Sequence, residues 1–126
     1  MERTTSTGWG QTKSPISEEW QIWAQNQPIT HKEMMDYVNF LINTQYDLRE
    51  LSKWRIFIGK ELKRKWGTCF YKRKEIIINR CSLGTFIHEL AHAIDVCKRS
   101  RSNHDWDFNR EYTWTVKNWK HDYKLG

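Results

Sequence analysis

The run His88-Glu89-Leu90-Ala91-His92 constrains this chain more than any other feature. Residues four apart in a helix lie one above the other on the same face, so a helix here stacks two imidazoles about one turn apart. Two imidazoles so placed can hold one zinc ion, and the carboxylate beside the first can reach a water on that ion. The flanks suit a buried helix: Thr85, Phe86 and Ile87 lead in, and Leu90, Ala91, Ala93, Ile94 and Val96 continue. The plainer alternative is a helix with two hydrogen-bonded histidines and a solvated glutamate. The motif within an apolar helix favours the metal.

A catalytic zinc site usually has three protein ligands and one open position, so a third donor is required. His104 is the leading candidate, twelve residues past His92. The stretch from Cys97 to Asn103 is short and polar, suited to a turn, and a second helix is expected to start near His104 with Trp106, Phe108, Tyr112 and Trp114 as its apolar residues. Asp95, Cys97, Asp105, Asp107 and Glu111 compete for the role. Asp95 shares a face with the histidine pair and also suits a partner that orients a ligand from behind. His31 and His121 lie far off in sequence, and nothing local recommends them.

Four segments together resemble the SprT-like metallopeptidase domain: Lys65-Trp66-Gly67-Thr68-Cys69, Glu75-Ile76-Ile77-Ile78-Asn79, His88 to Ala93, and His104-Asp105-Trp106-Asp107-Phe108. Their order and approximate spacing match over residues 54 to 114. That family shows a Trp-Gly-Ser-Cys-like strand, an apolar strand ending in Asn, the zinc helix, and a His-Gly-x-x-Phe-like segment that carries the third ligand. The chain departs from the pattern in three ways. Asp105 stands where the family usually has glycine, Thr68 replaces serine, and no Cys-x-x-Cys pair follows to build a zinc ribbon. The resemblance therefore implies a bare catalytic domain, with proteins bound to DNA as a substrate class.

At 126 residues the chain is long enough for one domain with a modest core. Eight tryptophans are many for this length, and most are expected in the core or at its boundary. No apolar run approaches membrane-spanning length, and the N-terminus lacks a signal peptide's apolar stretch, so no membrane partner is expected. Three cysteines without a framework pattern point to reduced thiols and a cytoplasmic protein. The formal net charge is +6, and from Lys53 to Lys74 nine basic residues face the single acidic Glu61. The dense pieces include Lys63-Arg64-Lys65 and Lys72-Arg73-Lys74, interleaved with Trp66, Phe70 and Tyr71. Such a pattern can meet phosphates and stack on unpaired bases, and it serves equally well as a solvated face.

The expected organisation is a flexible tail over residues 1–15 and a single domain over residues 16–126. Ser17 to Gln25 reads as a short helix closed before Pro28. Thr30-His31-Lys32-Glu33 is a capping box, followed by Met34, Tyr37, Val38, Leu41 and Ile42 at helical spacing. His31 is expected to be solvated in the first turn. Strands are expected at Arg55–Ile58, Gly67–Tyr71 and Glu75–Asn79, the last two joined as a hairpin by Lys72-Arg73-Lys74. The unalternating Ile76-Ile77-Ile78 suggests cover on both faces, and Ser82 or Thr85 is placed to cap the metal helix. The fold class is α+β, zincin-like: a small, mainly antiparallel sheet with an N-terminal helix, the zinc helix and a C-terminal helix.

These readings converge on a monomeric zinc-dependent endopeptidase acting on a protein or peptide substrate. His88, His92 and His104 would hold Zn²⁺, Glu89 would act as general base, and Tyr112 or Arg110 would face the developing oxyanion. The Glu75–Asn79 strand would align an extended substrate by main-chain pairing. Two rivals stand beside it. One is a nucleic-acid-binding module with a closed, structural metal site, which needs a fourth protein ligand such as Asp95, Cys97 or Asp107. The other is an ImmA-like regulator-cleaving peptidase, whose usual downstream Glu-Ala-Asn-like segment is absent here.

Overall fold

The computed structural model describes residues 3–5, for their backbone, and residues 16–124. In chain order the elements are β1 (Arg3–Thr5), α1 (Glu18–Gln25), α2 (His31–Thr44), a 3-10 segment (Tyr46–Lys53), β2 (Arg55–Ile58), β3 (Gly67–Phe70), β4 (Glu75–Ile78), α3 (Leu83–Arg99), α4 (Trp106–Lys117) and a π-helical turn (Asn118–Tyr123). The class is α+β. The tail expected over residues 1–15 falls mostly outside the described residues, and within it the backbone of Arg3–Thr5 pairs antiparallel with β3.

Local chemistry places the helix starts. Ser17 caps α1 by accepting from the Trp20 amide. The capping box of α2 is complete: Thr30 accepts from the Glu33 amide and the Glu33 carboxylate accepts from the Thr30 amide. Ser82 caps α3 through the Thr85 amide, and Asp105 caps α4 through the Phe108 amide at 3.0 Å. The backbone there is extended, with φ −113°, which any residue adopts, and the aspartate gives α4 its cap. His31 does more than face solvent, since its Nε2 donates to the Ile56 carbonyl at 2.9 Å and ties α2 to β2.

The sheet is mixed, with strand order β1-β3-β4-β2: two of its three pairings are antiparallel and one is parallel. β3 and β4 form the expected antiparallel hairpin through a turn in which Lys74 takes φ 53°. β2, however, lies parallel to β4 on its far side, Arg55 beside Glu75 and Ile58 beside Ile78. Residues 59–66 therefore cross the sheet before β3 begins. β4 is flanked by β3 and β2, so both of its main-chain edges are paired. It has no free edge, so it cannot align a substrate by main-chain pairing as expected of Glu75–Asn79. Ile76 and Ile78 are buried and Ile77 half-buried, so one face of β4 is fully covered and the other partly.

α3 runs through the centre, and every residue from Leu83 to Asp95 is buried. A helix buried on all sides needs neighbours all round. Here they are α4, α1, the 3-10 segment, β3 and β4. Met34, Tyr37, Val38 and Leu41 of α2 and Phe108, Tyr112 and Val116 of α4 complete the core. Trp54 and Trp119 are buried and Trp20, Trp66 and Trp114 half-buried, as expected for tryptophan at a core boundary. Trp106 departs from expectation: it is 75% exposed on the outer side of α4.

Candidate metal centre

The i, i+4 spacing on α3 places His88 and His92 side by side, with ring centroids 5.0 Å apart. Both are buried, and so is Glu89 between them in sequence. α3 ends at Arg99, where Ser100 adopts the left-handed conformation at φ 67° that turns a chain sharply out of a helix. The loop that follows is tied down twice: the Tyr71 hydroxyl donates to the Ser102 carbonyl, and Asp105 caps α4. His104 is thereby brought back over α3. Its Nε2 lies 2.9 Å from Nε2 of His88 and 3.1 Å from Nε2 of His92. Phe108, in the first turn of α4, stacks on the His92 ring at 4.1 Å and backs the cluster with carbon.

Three imidazole nitrogens aimed at one point are poorly served by one another. Each neutral ring has one N–H and one lone pair, so one proton can join only one pair of the three. A single cation satisfies all three lone pairs. Ligands held tetrahedrally about 2.0–2.1 Å from zinc stand roughly 3.3–3.4 Å from each other, a few tenths of an ångström wider than the 2.9 and 3.1 Å by which His104 approaches the other two rings. Burial, with the neighbouring charge of His104, holds the His88 pKa well below 6.5, so this ring stays neutral, as a ligand must be. The three histidines lie close enough to bind one metal ion.

The competing donors are engaged elsewhere. Asp95 meets Arg99 at 2.6 Å. Glu111 is held by Arg99 at 2.9 Å and Lys98 at 3.1 Å, and Asp107 by Arg110 at 3.4 Å. Asp105 is a helix cap. Cys97 is half-buried, and burial pushes its thiol up to about 11, away from the thiolate that binds metal. Among the described residues no fourth protein ligand joins the three histidines.

Glu89 sits where α3 meets the sheet. A Cβ added to Gly67 of β3 would lie 2.9 Å from Glu89 Cγ and 3.2 Å from its Oε2, so the glycine of the Trp-Gly-Thr-Cys stretch makes room for this carboxyl. Burial raises the Glu89 pKa well above 4.5, which gives the group more proton affinity than an exposed carboxylate has.

Two residues of this centre escaped the sequence. Ser102 is buried with its Oγ 2.8 Å from His92 Nδ1, although nothing in Arg99-Ser100-Arg101-Ser102-Asn103 sets it apart from an ordinary polar turn. Gly67 was visible as a motif residue but not as a neighbour of Glu89. Of the two oxyanion candidates, Tyr112 is buried with its ring 6.3 Å from His88. Arg110 is exposed and pairs with Asp107. In the basic clusters Lys63, Arg64, Lys72 and Arg73 are exposed, while Lys65 and Lys74 are half-buried. The two clusters sit at opposite ends of β3, whose four residues span roughly 13 Å, and Arg73 is further occupied by the Phe70 ring at 4.1 Å.

No protein-family model, curated protein or solved structure matches this chain. No helix of the described residues is long and apolar enough to cross a membrane.

Proposed function

We propose that this chain is a zinc-dependent endopeptidase of SprT-like, zincin type. The observation that carries the reading is the convergence of His88, His92 and His104 Nε2 atoms with no fourth protein ligand among the described residues, beside a buried glutamate on the same helix. Three neutral nitrogens with an open position are the donor set of catalytic zinc sites, whereas structural sites are closed by four. When bound, such an ion acidifies water and polarises a carbonyl oxygen.

The rest falls to the chain's own residues. Glu89, with its proton affinity raised by burial, takes the proton from the attacking water and later passes it to the departing amine. Gly67 leaves the space in which that carboxyl sits. Phe108 and Tyr112 keep the inner side of the cluster apolar, which strengthens the electrostatic interactions within it. Proteins bound to DNA are the substrate class that the resemblance implies, and exposed Lys63, Arg64, Lys72 and Arg73 would meet phosphate there. A nucleic-acid module with a structural metal needs a closing ligand, and Asp95, Asp107 and Cys97 are each placed or protonated against that use.

Two measurements test the reading. Elemental analysis of wild type and His104→Ala should give one zinc per chain in the first and much less in the second. Glu89→Gln should keep its zinc and lose turnover of an unstructured protein substrate. A folded wild type that takes up no zinc when it is supplied, or a Glu89→Gln variant that still turns over, would end the proposal.

A further inference from the structure

The outer main-chain edge of β3 is occupied by the chain itself. In the strand order β1-β3-β4-β2, β3 has β4 on one side and β1 on the other. β1 runs antiparallel to it, with Thr5 opposite Gly67, Thr4 opposite Thr68 and Arg3 opposite Cys69. Gly67 is the residue against which the Glu89 side chain packs. The Thr5 end of β1 therefore lies beside the strand position that adjoins the candidate base.

Alternation along β3 tells which of its groups β1 uses. The Trp66 carbonyl accepts from the Asn79 amide at 2.8 Å, so Trp66, and with it Thr68 and Phe70, turn their main-chain groups toward β4. Gly67 and Cys69 turn theirs to the opposite side, where Thr5 and Arg3 stand in register. Thr4 then turns its N–H and carbonyl away from β3. An extended polypeptide that joins a sheet edge pairs through the same main-chain donors and acceptors, whatever its side chains. It cannot reach those of Gly67 and Cys69 while β1 holds them. The opposite border of the sheet offers no substitute: β2 lies on the far side of β4 from Gly67, and its Ile56 carbonyl already accepts from His31.

We propose that β1 is an intramolecular competitor of the polypeptide substrate, seated on the β3 edge that such a substrate would join. The proposal rests on the peptidase reading for what the edge is used for, while the occupancy of the edge is a property of the metal-free chain. β1 is three residues long and forms one border of the sheet, a small unit of the kind that opens locally without unfolding the rest. When the binding-competent form is only partly populated, apparent affinity falls by that fraction. β1 therefore raises KM and leaves kcat untouched, since it is already displaced once substrate is seated.

The experiment pairs amide hydrogen exchange in the metal-free full chain with casein cleavage by the zinc-loaded chain, for wild type, Thr5→Pro and Thr4→Pro. Proline at 5 removes an N–H that donates to β3, and proline at 4 removes one that does not. Wild type and Thr4→Pro should protect the Gly67 and Cys69 amides, and Thr5→Pro should exchange them at least about tenfold faster. Thr5→Pro should lower the KM for casein by about threefold or more at unchanged kcat, with Thr4→Pro within about twofold of wild type. Unprotected Gly67 and Cys69 amides in wild type overturn the proposal. So does a Thr5→Pro variant with an open edge and an unchanged or higher KM. If no form cleaves casein, the peptidase reading falls by itself. Casein added to Thr5→Pro should then restore protection at Gly67 and Cys69 and change nothing in wild type, and failure to restore it overturns the competition as well.

Discussion

Gly67 and Glu89 are in contact across the junction of β3 and α3: a methyl group on the glycine would lie 2.9 Å from Glu89 Cγ and 3.1 Å from Cγ2 of Thr85. The candidate base of the site is therefore positioned by a residue with no side chain, on a different element, more than twenty residues earlier in the chain.

Gly67→Ala should displace the Glu89 carboxyl. Both partners are buried helix residues with nowhere to retreat, so overpacking should cost about 1–3 kcal/mol of stability. A misplaced base should lower turnover by about 100-fold while zinc stoichiometry stays at wild type. Thermal denaturation and metal analysis of the same preparation separate the two effects. Unchanged stability and unchanged turnover would mean that the contact is unimportant.

Glu89→Gln should be more stable than wild type when metal-free at neutral pH. The buried carboxyl has its pKa raised well above 4.5 by burial, so ionising it in the folded state costs free energy that an uncharged amide of the same shape avoids. Turnover should fall by at least about 100-fold, the contribution of a general base. A higher Tm with zinc retained and activity lost is the expected combination.

Zinc should stabilise the wild type against unfolding. A ligand at one hundred times its Kd adds about 2.7 kcal/mol, a Tm rise on the order of 10 °C for a chain of this size. The rise should vanish with a chelator and be largely absent in His104→Ala. An equal rise in that variant would locate the metal elsewhere.

Acidification should destabilise the metal-free chain through His88. Its folded pKa lies below 6.5 because burial, and then the charge of His104, disfavours the imidazolium. The unfolded chain therefore takes up the proton first. Stability is intact above 6.5 and is lost as pH falls below it toward the folded pKa, with a slope approaching about 1.4 kcal/mol per pH unit. Glu89 contributes in the opposite direction, costing stability as pH rises from 4.5 through its raised folded pKa. Comparing wild type with His88→Gln by denaturant titration from pH 7.5 to 5 isolates the histidine. Wild type should lose stability relative to His88→Gln below pH 6.5, and a difference that stays constant there would contradict the assignment.

Much of this chain is written in short-range code. The caps at Ser17, Thr30 and Ser82, the hairpin at residues 72–74 and the shared face of His88 and His92 all follow from residues within about a turn of one another. Backbone geometry and local hydrogen bonding decide such features without reference to the rest of the molecule. The exposure of Trp106 is hidden from the sequence for the complementary reason. Its aromatic ring matched the apolar spacing of α4, but which stripe of a helix is buried depends on what packs against it, and here Trp106 faces outward.

The pair of histidines, the glutamate beside them and the short reach of chain that brings a third donor within range are local features, legible residue by residue. Which donor arrives is set by the folded arrangement. His104 wins because Ser100 turns the chain out of α3 while Asp105 starts α4 and the charged competitors pair with Arg99, Lys98 and Arg110. It also decided that β4 is a central strand with no edge to offer, that Gly67 accommodates Glu89, and that Ser102 stands behind His92. These are contacts between segments far apart in sequence or turned by a loop. Their formation depends on the balance of packing and charge over the whole domain, which no local pattern of residues encodes.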